Sequence, residues 1–204
     1  MLYDSLIRYG DCYRLNITGD PDNFLNNITK FKDDWKPYNP RKNIKRYGLS
    51  ITSLDGGLSG IPDIDSVREY NLKNNVRLRE PDFKTKTPVY PHAAEWLDLF
   101  KNDLGRTHVI KMPIGGCFPP HRDDYAIEND SFRLFIPLKN CKYPQMFFIL
   151  DNKILNFDHG CVYFINTCKE HTVFTVSDES TFIVANIILS ERSVETVLNN
   201  LSIT

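Results

Sequence analysis

The second half of the chain restricts the fold most. From Gly105 onward, short runs rich in β-branched and aromatic residues follow one another at 106–112, 132–138, 145–150, 160–165, 170–176 and 181–189. Gly, Asn, Asp or Pro separates each run from the next. Runs of this length, broken by residues that favour turns, predict antiparallel strands closed into a barrel or jelly roll.

The first hundred residues read differently. Asp20-Pro21 has the form of a helix start, an Asp cap with Pro in the first turn, and Phe24, Ile28, Phe31 and Trp35 follow at helical spacing. Lys36-Pro37-Tyr38-Asn39-Pro40 stops that helix. Residues 44–54 read as a strand, Leu54–Pro62 as a turn-rich loop, and 71–91 as a polar excursion or lid. Ala93, Trp96, Leu97 and Phe100 fall at i, i+3, i+4 and i+7, the stripe of an amphipathic helix. A last helix, capped near Ser190, puts Val194, Val197, Leu198 and Leu201 on one face. The expected organisation is one domain over 1–204. Residues 1–104 form a helical and loop part covering the barrel, 105–190 the β core, and 190–204 the closing helix.

Composition narrows the function classes. A length of 204 residues suffices for one substantial core, and 13 Phe and 10 Tyr can fill it. A net charge of -1 gives no reason to expect nucleic acid or an anionic membrane as partner. The N-terminus lacks a basic segment followed by an apolar run, and no apolar stretch approaches membrane-spanning length. Cys12, Cys117, Cys141, Cys161 and Cys168, odd in number and irregularly spaced, fit reduced thiols. The expectation is a cytoplasmic, soluble protein.

The chemistry concentrates in Gly115-Gly-Cys-Phe-Pro-Pro-His121-Arg-Asp123-Asp124. Alternate residues of an extended segment share a face, so His121 and Asp123 point the same way and can hold two adjacent corners of a metal ion. A third ligand must come from another strand, and the downstream histidines are His159 and His171. His171 opens an apolar alternation with Val173. His159 lies in the turn signature Phe157-Asp-His-Gly160 and is expected to face solvent. Two histidines and one carboxylate form the facial triad of non-haem iron(II) sites, which leaves three coordination positions open. The same donors also suit zinc or manganese. An isolated His-x-Asp is more often a surface pair. Here the preceding Gly-Gly and Pro-Pro pin the backbone, and a strand-borne histidine follows.

At these residues the chain resembles the aspartyl/asparaginyl β-hydroxylase-like branch of 2-oxoglutarate oxygenases, particularly the free-proline cis-4-hydroxylase group. The resemblance spans roughly 105–190. It is carried by Pro120-His121-Arg-Asp123, by Phe132-Arg133-Leu-Phe-Ile-Pro-Leu138, by Gly160-Cys-Val-Tyr-Phe-Ile-Asn166 and by His171 five residues beyond. It implies a mainly β, cupin-like double-stranded β-helix with iron(II) on His121, Asp123 and His171. It also implies 2-oxoglutarate as cosubstrate, contacted by Arg133. The implied reaction uses O2 to hydroxylate a C–H bond of a free amino acid or a peptide or protein side chain. Succinate and CO2 leave as coproducts. Having Asp123 rather than a small residue argues against the related halogenases.

One position departs from the pattern. Where the family usually has a second cosubstrate-binding arginine, ten residues after the distal histidine, this chain has Thr181. A threonine offers one hydrogen bond where a carboxylate in an apolar pocket wants a cation. Arg133, Lys111 and Lys139 are the candidate replacements. Two other function classes stay open: a cupin-like binding module with a vestigial metal site, and an oxygen-independent metal isomerase or hydrolase.

Other residues divide as follows. Arg133 points into the barrel if Phe132, Leu134, Ile136 and Leu138 pack outward under helices; otherwise it is a surface arginine. Cys161, Trp35 and Trp96 read as core. Cys168-x-x-His171, without a second pair, is an improbable zinc site. Asn166 is a candidate hydrogen-bond partner for the metal ligands or a plain strand-end turn. Asp124 and Tyr125 are candidate substrate contacts.

Overall fold

The computed structural model describes residues 2–39, 43–123 and 130–202. The chain begins with helix α1 (Leu2–Ile7), strand β1 (Cys12–Thr18) and helix α2 (Pro21–Ile28), followed by the short strands β2 (Lys36–Pro37), β3 (Tyr47–Ser50) and β4 (Thr52–Ser53). Helix α3 (Val67–Asn74), strand β5 (Thr85–Lys86) and the single turn α4 (Ala94–Leu97) complete the first half. Nine-residue β6 (Leu104–Met112) opens the β-rich half and leads to β7 (Cys117–His121) and β8 (Ser131–Lys139). β9 (Met146–Leu150), β10 (Lys153–Leu155), β11 (Cys161–Ile165), β12 (His171–Thr175) and β13 (Ser180–Ile188) follow, and helix α5 (Glu191–Asn199) closes the chain.

Two main antiparallel sheets face one another, a double-stranded β-helix of the jelly-roll, cupin-like kind, with β4 and β5 forming a separate two-stranded pair. The larger has the order β1-β11-β8-β13-β6-β3-β2, the smaller β10-β9-β12-β7. Each expected run in the β half is a strand within two residues of the expected ends.

Strand alternation sorts the side chains of the larger sheet into two cores. Phe132, Leu134, Ile136 and Leu138 of β8 and Ile183 and Ala185 of β13 pack outward, with Phe24, Trp96 and Phe100, under the helical layer. Phe135 and Phe182 point inward and meet Phe148 and Phe157 between the sheets. Ring centroids there are 4.7–5.5 Å apart, in the range where aromatic pairs attract. Arg133 falls on the inward side.

The first half departs from expectation in several places, among them the unexpected helices α1 and α3. β1 pairs with β11, and β3 with β6, so residues 1–104 extend the larger sheet as well as covering it. The helix from Pro21 ends at Ile28 and tightens into a 3-10 turn through Phe31, leaving Trp35 outside. Phe24, Ile28 and Phe31 still point inward because that turn nearly preserves the helical stripe. The Ala93–Phe100 stripe is likewise fully buried, but on one α turn flanked by 3-10 turns. Pro91 opens that segment.

Among the described residues, no helix is long and apolar enough to cross a membrane. All five cysteines are free thiols.

Candidate metal centre

The Gly115-Gly116 pair sets up the strand that carries the first ligand. Gly115 adopts a positive φ of 77°, and a Cβ on Gly116 would run into the carbonyl of Lys45. β7 then pairs with β12, which places His121 opposite His171. The imidazole centroids are 4.2 Å apart. Asp123 lies two residues past the end of β7, its backbone N–H donating to the Thr167 carbonyl at 2.9 Å. One donor atom each from His121, Asp123 and His171 fall within 4.8 Å of one another. The three residues singled out in the sequence therefore meet.

Their surroundings prepare them as ligands. Nδ1 of His121 lies 2.6 Å from the Pro119 carbonyl oxygen and Nδ1 of His171 lies 3.0 Å from that of Lys169. A carbonyl accepts, so each Nδ1 donates to it and Nε2 is the ring nitrogen left to face a metal. Burial lowers the pKa of His171, outweighing the Lys169 carbonyl and Asp123. Burial alone would raise the pKa of Asp123. The Arg133 guanidinium, both imidazoles and the Thr167 hydroxyl outweigh it and hold the carboxyl below its ordinary range. Arg133 Nε stands 2.7 Å from Asp123 Oδ2, while Oδ1 faces His121 Nε2 at 3.7 Å. Two oriented imidazoles and a fixed carboxylate suit a divalent transition metal.

The triad opens onto a cavity of about 340 Å³ between the sheets. Its walls are largely apolar (Phe118, Phe135, Phe148, Val173, Phe182 and Val184), with Arg46 and Arg133 as the cations. Arg46 and Asn39 were not singled out in the sequence. Arg46 Nε and Asn39 Oδ1 are buried without a hydrogen-bond partner. A lone arginine between Lys45 and Tyr47 carries no motif, and its only sequence signal is its place in a run expected to be a strand.

Thr181 requires correction. Alternation along β13 turns Phe182 and Val184 into the cavity and Thr181 the other way, where it lines a separate hollow with Lys111, Lys139 and Trp35. Thr181 therefore does not contact a ligand of the main cavity. Neither do Lys111, whose ammonium sits 4.3 Å over the Trp35 ring, or Lys139.

The remaining candidates fall into place. His159 is exposed and accepts from the Cys141 backbone N–H. Asn166 is buried, but it ties Tyr3 to Asp11 and leaves the ligands alone. Cys161 is core, and the Cys168 thiol lies 3.7 Å from the Tyr3 hydroxyl. Asp124 and Tyr125 lie outside the described residues.

No family model matches this chain, and no curated protein matches it. Solved structures do. HygX from Streptomyces hygroscopicus, crystallised with nickel, 2-oxoglutarate and hygromycin B bound, superposes with a TM-score of 0.58 at 8% identity, over 91% of this chain and 86% of that one. A 2-oxoglutarate, iron(II) oxygenase family oxidoreductase from Burkholderia pseudomallei matches at 0.48 and 13% identity, over 93% and 91%. A Pseudomonas putida prolyl-4-hydroxylase matches at 0.48 and 13%, over 93% and 100%. At its identity the likeness to HygX speaks for the fold alone.

Proposed function

We propose that this chain is a non-haem iron(II), 2-oxoglutarate-dependent oxygenase, with His121, Asp123 and His171 as the metal ligands. The observation that carries the reading is the meeting of two imidazoles and one carboxylate at the wall of an apolar cavity. The double-stranded β-helix supports it. So does HygX, a protein of the same fold whose crystal structure holds a metal and 2-oxoglutarate.

Bound iron(II) with 2-oxoglutarate would supply the oxidising power to hydroxylate a C–H bond, one atom of O2 entering the substrate and the other the departing succinate. The chain's own contribution is positional. The Pro119 and Lys169 carbonyls orient the imidazoles, Arg133 and Thr167 hold Asp123 ionised, and the aromatic walls exclude water. The substrate class proposed is a free amino acid or a peptide or protein side chain.

The test is anaerobic addition of iron(II) and 2-oxoglutarate to metal-free protein, read by the visible charge-transfer band of the chelate. A band that vanishes in the His171→Ala variant is expected. Iron binding without a band would favour the oxygen-independent reading, and iron binding unaffected by His121→Ala or Asp123→Ala would remove the triad assignment.

A further inference from the structure

Arg46 is the feature of the cavity that the metal centre leaves unexplained. It follows from the geometry of the preceding residues. Gly116 lets the Lys45 carbonyl approach the start of β7, and this lays Arg46 against the first aromatic of that strand. Its guanidinium carbon sits 4.2 Å from the Phe118 ring centroid and 5.2 Å from that of Tyr38. The residue is 4% exposed, yet its Nε has no hydrogen-bond partner and no carboxylate among the described residues pairs with it. Burial lowers its pKa against the weaker opposing pull of Tyr38 and Cys117. A guanidinium nevertheless stays charged at any ordinary pH.

A desolvated cation without a counter-ion is costly. Stacking on two rings offsets part of that cost and fixes the plane of the fork, but it leaves the Nε–H donor without an acceptor. Arg133, the other cation of the cavity, already holds the metal carboxylate. The cavity thus offers a chelating centre, apolar walls and a separate anion site. A ligand that satisfies all three has a chelating end, a short apolar link and a terminal carboxylate.

Resting on the oxygenase reading above, we infer that Arg46 is the anchor for the distal carboxylate of the 2-oxoacid cosubstrate. It takes over, from the start of β3 two strands along the larger sheet from β13, the role for which Thr181 is unsuited and wrongly directed. Specificity for a diacid over a monoacid therefore resides in Arg46.

The test compares 2-oxoglutarate with 2-oxopentanoate, which has the same chain length but a methyl in place of the distal carboxylate. Binding of each to the manganese-loaded protein is measured by calorimetry in wild type, Arg46→Met and Arg46→Lys. In wild type the diacid is expected to bind at least about 30-fold tighter than the monoacid. Arg46→Met should shrink that preference to about threefold or less while leaving the monoacid unchanged, and Arg46→Lys should restore part of it. A preference that survives in Arg46→Met overturns the assignment and leaves the oxygenase reading intact. Equal loss of both acids in both variants makes Arg46 a structural residue and also overturns it. Wild-type protein that binds manganese but neither acid overturns this inference and the oxygenase reading together.

Discussion

Arg133 shows how one side chain is decided by its neighbours. As a residue in an apolar run it could face solvent or the barrel interior. The fate of Leu134 and Ile136 chooses, because they fill the core under the helices and alternation sends Arg133 inward. There it meets Asp123 at 2.7 Å. Arg133→Met should therefore weaken manganese or iron binding by about 10- to 100-fold without unfolding the protein, the usual effect of losing a group that orients a ligand. Metal titration followed by calorimetry reads it, and unchanged affinity would mean Thr167 and the backbone suffice to hold Asp123. The three metal-ligand candidates were legible from residue type, spacing and alternation. Arg46 was not, because its role arises from burial and stacking, which a sequence does not display.

Element type survived the passage from sequence to structure better than element length. The six expected strands of the second half are present because turn residues bracket them. β1 escaped notice although Tyr13, Leu15 and Ile17 alternate with Arg14, Asn16 and Thr18, because its partner β11 lies far along the chain, in the other half. The Ala93–Phe100 stripe marked which residues are buried but not how the backbone winds, since a 3-10 turn preserves nearly the same inward face. Within this segment the Trp96 indole N–H donates to the Gly160 carbonyl at 2.8 Å, fastening the turn before β11 to the helical layer. Trp96→Phe keeps a ring in the core but removes this hydrogen bond and leaves a gap beside the smaller ring, with the Gly19 N–H as the carbonyl's remaining donor. A loss of about 1–3 kcal/mol in urea denaturation is expected. A loss under about 0.5 kcal/mol would show that water or a shifted donor replaces the indole.

For the molecule as a whole, buried histidines set the pH response. His108 is wholly buried, and burial, with Arg106 and Arg133 nearby, pushes its pKa well below the ordinary 6.5. His171 shifts the same way, chiefly by burial. Below 6.5 the unfolded chain takes up protons that the folded protein refuses, so stability falls with pH until the folded-state values are reached. Metal-free protein should keep a constant urea midpoint down to about pH 7 and lose stability toward pH 5, and His108→Phe should flatten that slope. A flat wild-type profile would mean both rings can be protonated without cost. Asp123 acts in a separate, more acidic window: its depressed pKa adds stability that disappears as pH falls through the folded-state value.

β7 ends the smaller sheet in the described structure and supplies His121, so the ligand-bearing strand is also an open edge. An open edge is a template on which another chain can add a strand. Pro119 and Pro120 lie in that edge, and neither has an N–H to offer. Besides fixing the backbone ahead of His121, the two prolines make the mouth of the cavity a poor seed for aggregation. The rim can therefore stay uncovered, as the entry of a substrate demands, at little cost in solubility.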